Sequence, residues 1–195
     1  MTPADASSPG APGPQDTATE GGAPDTEPNG LTPTRPGDAV ILCGACTHRG
    51  NCRLGVEREH LRGPATAVFD LHCPKDQEGG PDVAHGGWIA AVLDECGGHL
   101  PLLNKVMSVT AELTITFVEP VPVERPLRAR AWVDRREGSR WYIGVELMLL
   151  PGRAVLARAS GIWVTRDYGH FDRHRAWLAE QDAVAPRRAR SDPAL

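Results

Sequence analysis

One helical stripe followed by four alternating segments constrains this chain of 195 residues more than any other feature. From Gly86 onward, Trp88, Ile89, Val92, Leu93 and Cys96 fall at i, i+1, i+4, i+5 and i+8, the spacing that lines one side of a helix. It predicts a helix that ends near Gly97-Gly98 or runs on to Pro101. After it the period becomes two. Ala111, Leu113, Ile115 and Phe117 share one strand face, and Leu127, Ala129, Ala131 and Val133 share the next. Trp141, Ile143, Val145, Leu147 and Leu149 make a third set, and Val155, Ala157, Ala159, Gly161 and Trp163 a fourth. Pro120-Val121-Pro122, Glu137-Gly138-Ser139 and Pro151-Gly152 supply the turns. A further strand is expected over residues 65–72, bounded by Gly63-Pro64 and Pro74. The order is strand, helix, then four strands in a meander. An α+β fold follows, in which one long antiparallel sheet wraps around one central helix, because that covers its apolar face most economically.

The ends of the chain read differently. Eight of the 18 prolines lie in the first 36 residues, where Leu31 is the only large aliphatic residue after Met1. Such a segment cannot bury enough apolar surface to offset its ordering entropy, so residues 1–37 are expected to form a disordered tail. A single domain is expected over 38–168, with a short helix near Phe171 to Leu178 and a second disordered tail within 169–195. Those first 36 residues hold five acids and one Arg, which leaves 20 acids against 20 bases in the remainder. That balance argues against a nucleic-acid binder, which relies on excess Lys and Arg to meet phosphates. No apolar run approaches the length of a membrane span and no secretory signal pattern opens the chain, so a cytoplasmic protein without a membrane partner is expected. Five cysteines outside a secretory context do not suggest a disulfide framework.

Chemistry concentrates at the start of the helix. His85-Gly86-Gly87 opens it where the first backbone N–H groups lack intrahelical partners and the dipole is positive. Glycines there let a ligand carbonyl approach those donors, the outline of an oxyanion hole. Asp94 falls opposite the apolar stripe, and its helical neighbours are Ala90, Ala91, Gly97 and Gly98. An exposed helix face is normally filled by strong helix formers, and each glycine costs about 1 kcal/mol relative to alanine. Something is therefore expected to come close to this face, a second subunit or a substrate.

These residues resemble a known family. His85-Gly86-Gly87 with Asp94 nine residues after the His, then Val109-Thr110-Ala111-Glu112-Leu113 and Phe117-Val118-Glu119-Pro120-Val121-Pro122, look like the hotdog-fold acyl-CoA thioesterases. The likeness spans about residues 40–166 and is greatest to the branch of phenylacetate-pathway and mitochondrial long-chain acyl-CoA thioesterases. It implies a hydrolase for acyl-CoA or a related pantetheine thioester, acting without a cofactor, as a homodimer or homotetramer with sites at the interface. Asp94 would be the catalytic carboxylate, the Gly86 N–H would polarise the thioester carbonyl, and Thr110 would assist. One departure stands out. Some members carry an Asn six residues before the His, where this chain has Gly79, and His85 could make up the missing contact. Strict alternation also puts Thr110 opposite the face of Ala111 and Leu113, so its place turns on strand pairing and any bulge. The resemblance leaves open whether Asp94 acts as base or nucleophile.

Geometry bears on assembly independently. Gly86 and Asp94 are separated by roughly 12 Å along a helix at 1.5 Å per residue. One carbonyl is thus not expected to meet both from one chain, which points to Gly86 of one subunit facing Asp94 of another. Gly87, Arg135, Arg136 and Arg140 are candidates for substrate binding, the arginines toward coenzyme A phosphates. Cys43, Cys46 and Cys52, with His48, His72 or Cys73, have partial metal-site spacing but lack a second Cys-X-X-Cys pair, so no metal is expected. Rival readings are a thioesterase for acyl-carrier-protein substrates and a non-catalytic acyl-thioester-binding module; Asp94 counts against the second.

Overall fold

The computed structural model describes residues 40–184. The tail expected at 1–37 and the end of the 169–195 segment lie outside the described residues. After a short helix α1 (Gly44–Thr47), strands β1 (Val56–Leu61) and β2 (Thr66–Leu71) form a hairpin. A 3-10 turn at Lys75–Gln77 leads into a small ribbon of β3 (Glu78–Gly80) and β4 (Val83–Ala84). Helix α2 (Gly86–Leu103) follows, then β5 (Ser108–Phe117), β6 (Leu127–Glu137), β7 (Arg140–Leu149), β8 (Ala154–Thr165) and helix α3 (His170–Val184). Six strands make one antiparallel sheet in the order β1-β2-β6-β7-β8-β5.

The sheet curls about α2, which touches all six strands. The core is the seam between them. Trp88, Ile89, Val92, Leu93, Cys96 and Leu100 of the helix meet Phe69, Ala129, Ile143, Val145, Leu147, Ala157 and Trp163 of the strands. Helix and sheet therefore satisfy each other's apolar faces, as expected from the stripe and the alternation. Pro101 is buried inside α2 without ending it, and the helix stops at Asn104, whose side chain returns to the Leu100 carbonyl at 2.8 Å.

The order of the strands differs from a plain meander. Of the four strands after α2, only β6, β7 and β8 follow one another in space; β5 crosses to the far side of β8 and becomes an edge. Its parity also changes along its length. Thr110 pairs with Trp163 and Glu112 with Ile162, so Ala111 is the extra residue of a β-bulge. Paired residues in an antiparallel ladder point to the same side, and Trp163 points inward with 1% exposure. Thr110 thus shares the helix-facing side with Leu113 and Ile115, whereas unbroken alternation placed it on the other.

Candidate active site

Helix α2 begins with a local lock. His85 is its N-cap, and its Nδ1 accepts the Gly87 N–H at 2.9 Å. The Trp88 and Ile89 N–H groups both bond back to the His85 carbonyl. Among the described residues, the Gly86 N–H is left without an acceptor in this first turn. The Gly87 N–H, by contrast, is taken, and a side chain at Gly87 would press on the same imidazole at 2.9 Å. With Nδ1 accepting, the neutral His85 ring carries its proton on Nε2, free to donate outward.

Gly79 stands close behind this turn. A Cβ there would lie 2.7 Å from the His85 Cα, so β3 admits no side chain at that position while the His85 N–H bonds to the Gln77 carbonyl. The absence of an Asn at this place is therefore built into the backbone that positions His85.

Two turns farther along α2, half-buried Asp94 accepts a hydrogen bond of 2.6 Å from the Thr110 hydroxyl. The bulge at Ala111 makes this contact possible by turning Thr110 toward the helix. The pair lies in a cleft of about 360 Å³ whose walls include Leu102, Met107, Val109, Trp163 and Phe171 of α3. Glu95, His99 and Ser108 line the same cleft, and within it the Asp94 carboxylate can orient a water or take its proton beside an apolar group.

The small residues around Asp94 have an answer within the chain. A Cβ at Gly97 would overlap the Cζ2 and Cη2 atoms of the Trp163 indole and stand 3.0 Å from its Cε2. At Gly98 it would stand 3.3 Å from the indole Nε1. Within the chain, what approaches the Gly97-Gly98 part of this face is thus a buried tryptophan of β8. Ala91, on the same side, remains exposed.

A charged cluster flanks the cleft that the sequence reading missed. His99 is buried, with Nδ1 2.5 Å from Glu59 of β1 and Nε2 3.2 Å from Glu95. Burial disfavours its charge, but hydrogen bonds to the two carboxylates outweigh that and push its pKa up to about 10. Burial likewise opposes ionisation of Glu95, and His99 more than compensates, holding it below the usual carboxylate range. Glu59 also accepts the Ile41 N–H. The i, i+4 spacing of Glu95 and His99 on a helix was the available signal; the Glu59 partner came from a strand with no apolar alternation to announce it.

The arginines are placed at one end of the sheet with Thr110. A single register row crosses Thr110, Trp163, Trp141 and Arg136. Arg136 stacks on the Trp141 ring at 3.8 Å, and Arg135 is held by Glu137 at 2.7 Å and lies 3.5 Å over Tyr142. Arg140 is exposed at the same hairpin. Cys96 is fully buried, and burial pushes its thiol well above the ordinary value, which suits a core residue. Among the described residues no group of three His, Cys, Asp or Glu side chains is arranged to hold a metal ion, and no helix is long and apolar enough to cross a membrane.

Comparison with known proteins bears on the same segment. The family model described as Thioesterase superfamily matches residues 82–156, which span the His85-Gly86-Gly87 turn, Asp94 and Thr110. The fold is the hotdog fold, and residues 82–156 are similar to the thioesterase superfamily. Mouse acyl-coenzyme A thioesterase THEM4 is 23% identical over 90 residues, covering 46% of this chain and 39% of that protein. The uncharacterized protein C26H8.11c of Schizosaccharomyces pombe is 28% identical over 117 residues, 57% of this chain and 66% of its own. The chain thus spans less than two thirds of the length of either relative. A hypothetical thioesterase protein of Streptococcus pneumoniae, solved with coenzyme A, superposes with a TM-score of 0.51 at 13% identity, over 56% of this chain and 89% of that one. At that identity it speaks for the hotdog fold alone, and the expected architecture holds in it.

Proposed function

We propose that this hotdog domain hydrolyses an acyl-CoA, or a related pantetheine thioester, to a free acid and a thiol. The observation that carries the reading is the 2.6 Å bond from Thr110 to Asp94 across the helix-sheet gap, inside a mostly apolar cleft. Thr110 engages Oδ1, which leaves Oδ2 as the oxygen that takes a proton from water. That water attacks the thioester carbonyl, and the oxyanion is met by the Gly86 N–H and the Nε2–H of His85. Thiolate leaves on collapse of the tetrahedral adduct and is protonated by the acid formed at Asp94. A nucleophilic Asp94 would instead displace the thiolate to form a mixed anhydride, and water attack at its aspartyl carbon would pass one of the Asp94 oxygens to the product. Single turnover in oxygen-18 water separates the two, since the base route labels the acid product from solvent and leaves Asp94 unlabelled.

The working unit in this proposal is a two-fold dimer, with a further pairing of dimers compatible with it. Within one chain the two ends of the site lie apart: Asp94 meets Thr110, while Gly86 sits beside Phe117, seven residues farther along β5. Strand β5 is an edge, its residues Thr110 to Glu112 are exposed, and Phe117 and Val118 beyond them are 56% and 41% exposed. A partner laid along this edge would bring its own Gly86 toward Asp94. The coenzyme A phosphates are assigned to the Arg136 and Arg140 hairpin, which shares the sheet end with Thr110; Arg135 is already engaged by Glu137. The likeness to mouse acyl-coenzyme A thioesterase THEM4 favours a coenzyme A thioester over a carrier-protein one. A cytoplasmic setting is part of the same proposal.

The test is a panel of short, long and aromatic acyl-CoAs and an acylated carrier protein, with released thiol as the readout. Turnover of at least one acyl-CoA, above the carrier-protein rate, is expected. Binding without thiol release would favour a non-catalytic module. Mixing Asp94→Asn chains with Gly86→Trp chains should restore one site per heterodimer; verified heterodimers without activity would overturn the shared site.

A further inference from the structure

We propose that Cys43 and Cys46 form a reversible redox site in which Cys43 is the attacking thiol and Cys46 the resolving one. The two sulfurs belong to one closed turn. The Cys46 and Thr47 N–H groups both bond to the Cys43 carbonyl at 2.9 Å, so the turn is held by its own backbone. A turn closed in this way keeps its first and fourth Cα atoms less than about 7 Å apart, within the range a disulfide can bridge. The partners differ in access: Cys43 is half-buried, whereas Cys46 is only 2% exposed. Cys46 Sγ accepts the Arg53 N–H at 3.3 Å, which gives that buried sulfur a fixed partner. Burial works against a charged Cys43, yet hydrogen bonds from the Cys46 backbone and thiol and from the Ala45 backbone outweigh it and draw its pKa below the ordinary thiol value. Cys52, by contrast, is pushed upward by burial and faces the core. Reactivity follows thiolate character and access together, and both single out Cys43.

The oxidant is a small-molecule disulfide such as oxidised glutathione. The Cys43 thiolate attacks one of its sulfurs, a mixed disulfide forms, and the other half leaves as a thiolate that takes up a proton. Cys46 then loses its proton to solvent, attacks the Cys43 sulfur and expels the second thiolate. Two protein thiols are oxidised as one external disulfide is reduced to two thiols. The bridge forms two residues from Ile41, whose N–H is held by the same Glu59 that binds His99 of α2.

The full chain is incubated with oxidised glutathione and the modified cysteines are located by mass mapping, before and after dithiothreitol. The expected result is loss of two hydrogens, a peptide bridging Cys43 and Cys46, and full reversal by the reductant. Cys46→Ser should stop at a glutathione adduct on Cys43, and Cys43→Ser should react at least tenfold more slowly. A bridge involving Cys52, equal reactivity of the Cys43→Ser chain, or no reaction of a native chain whose unfolded form does react would each overturn the assignment. None of these readouts depends on thioester hydrolysis.

Discussion

Replacing Gly97 by alanine asks what the small residues beside Asp94 are for. In the native chain a Cβ at this position would overlap two ring carbons of Trp163, and real Cβ atoms do not come within 3.0 Å of a neighbour. The indole cannot swing clear, because it is 1% exposed and sits between Thr110 and Trp141 in the sheet. Forcing an extra methyl into such a core costs about 1–3 kcal/mol, and the hard overlap points to the upper part of that range. Alanine gains back about 1 kcal/mol as a better helix former. The net expectation is a loss of about 1–2 kcal/mol, read as a lower urea midpoint at unchanged slope. Gly98→Ala is the internal control. Its Cβ would stand 3.3 Å from the indole Nε1, so a shift of a few tenths of an ångström accommodates it and the change stays within about 1 kcal/mol. Hydrolysis should fall in Gly97→Ala beyond the loss of folded protein, because Trp163 is the register partner of Thr110. A Gly97→Ala chain that is more stable than the native one, or that only loses its dimer, would refute the intramolecular explanation.

Other outcomes follow from the same contacts. His99 has its pKa raised to about 10 in the folded chain, against about 6.5 when unfolded, so its contribution is complete below about pH 6.5 and is lost as pH rises toward 10. Melting temperature should therefore decline across that window, and His99→Gln should flatten the decline; an unchanged slope would show that His99 is not charged. Gly79→Asn should lower stability rather than improve hydrolysis, since its Cβ meets backbone at 2.7 Å, and a gain in turnover without loss of stability would be the contrary result. Arg140→Ala should raise KM for acyl-CoA several-fold with little change for a short pantetheine thioester, and equal effects on both would remove the arginine from the nucleotide site.

Much of this architecture is legible in the residues, for a physical reason. A sheet with one buried face writes itself as period two and a helix facing it as period 3.6, and both patterns survive in β6, β7, β8 and α2. Strand β1 is different. Its Glu59 is buried because His99 and the Ile41 N–H satisfy it, so a charged residue occupies an inward position and the alternation disappears. Ribbons as short as β3 and β4 carry too few residues for any period. The site shows the same division. Asp94 could be picked out by its small neighbours, but Gly97 and Gly98 among them accommodate Trp163, about 65 positions away, a contact that no local pattern records. Thr110 sits where it does through a bulge, and one extra residue reverses every inference from alternation beyond it.

The central assignment is the carboxylate, and Asp94→Asn tests it most directly. The amide keeps the size of the side chain and can still accept from Thr110, but it is neither base nor nucleophile. With the oligomeric state and melting curve unchanged, initial rates of thiol release on the best acyl-CoA should fall by on the order of 10² to 10⁴, while KM moves little. Thr110→Ala should cost less, on the order of tenfold, because it only orients the carboxylate. An Asp94→Asn chain that retains hydrolysis within a few-fold of the native rate would contradict the assignment, and the chemistry would have to lie elsewhere in the cleft.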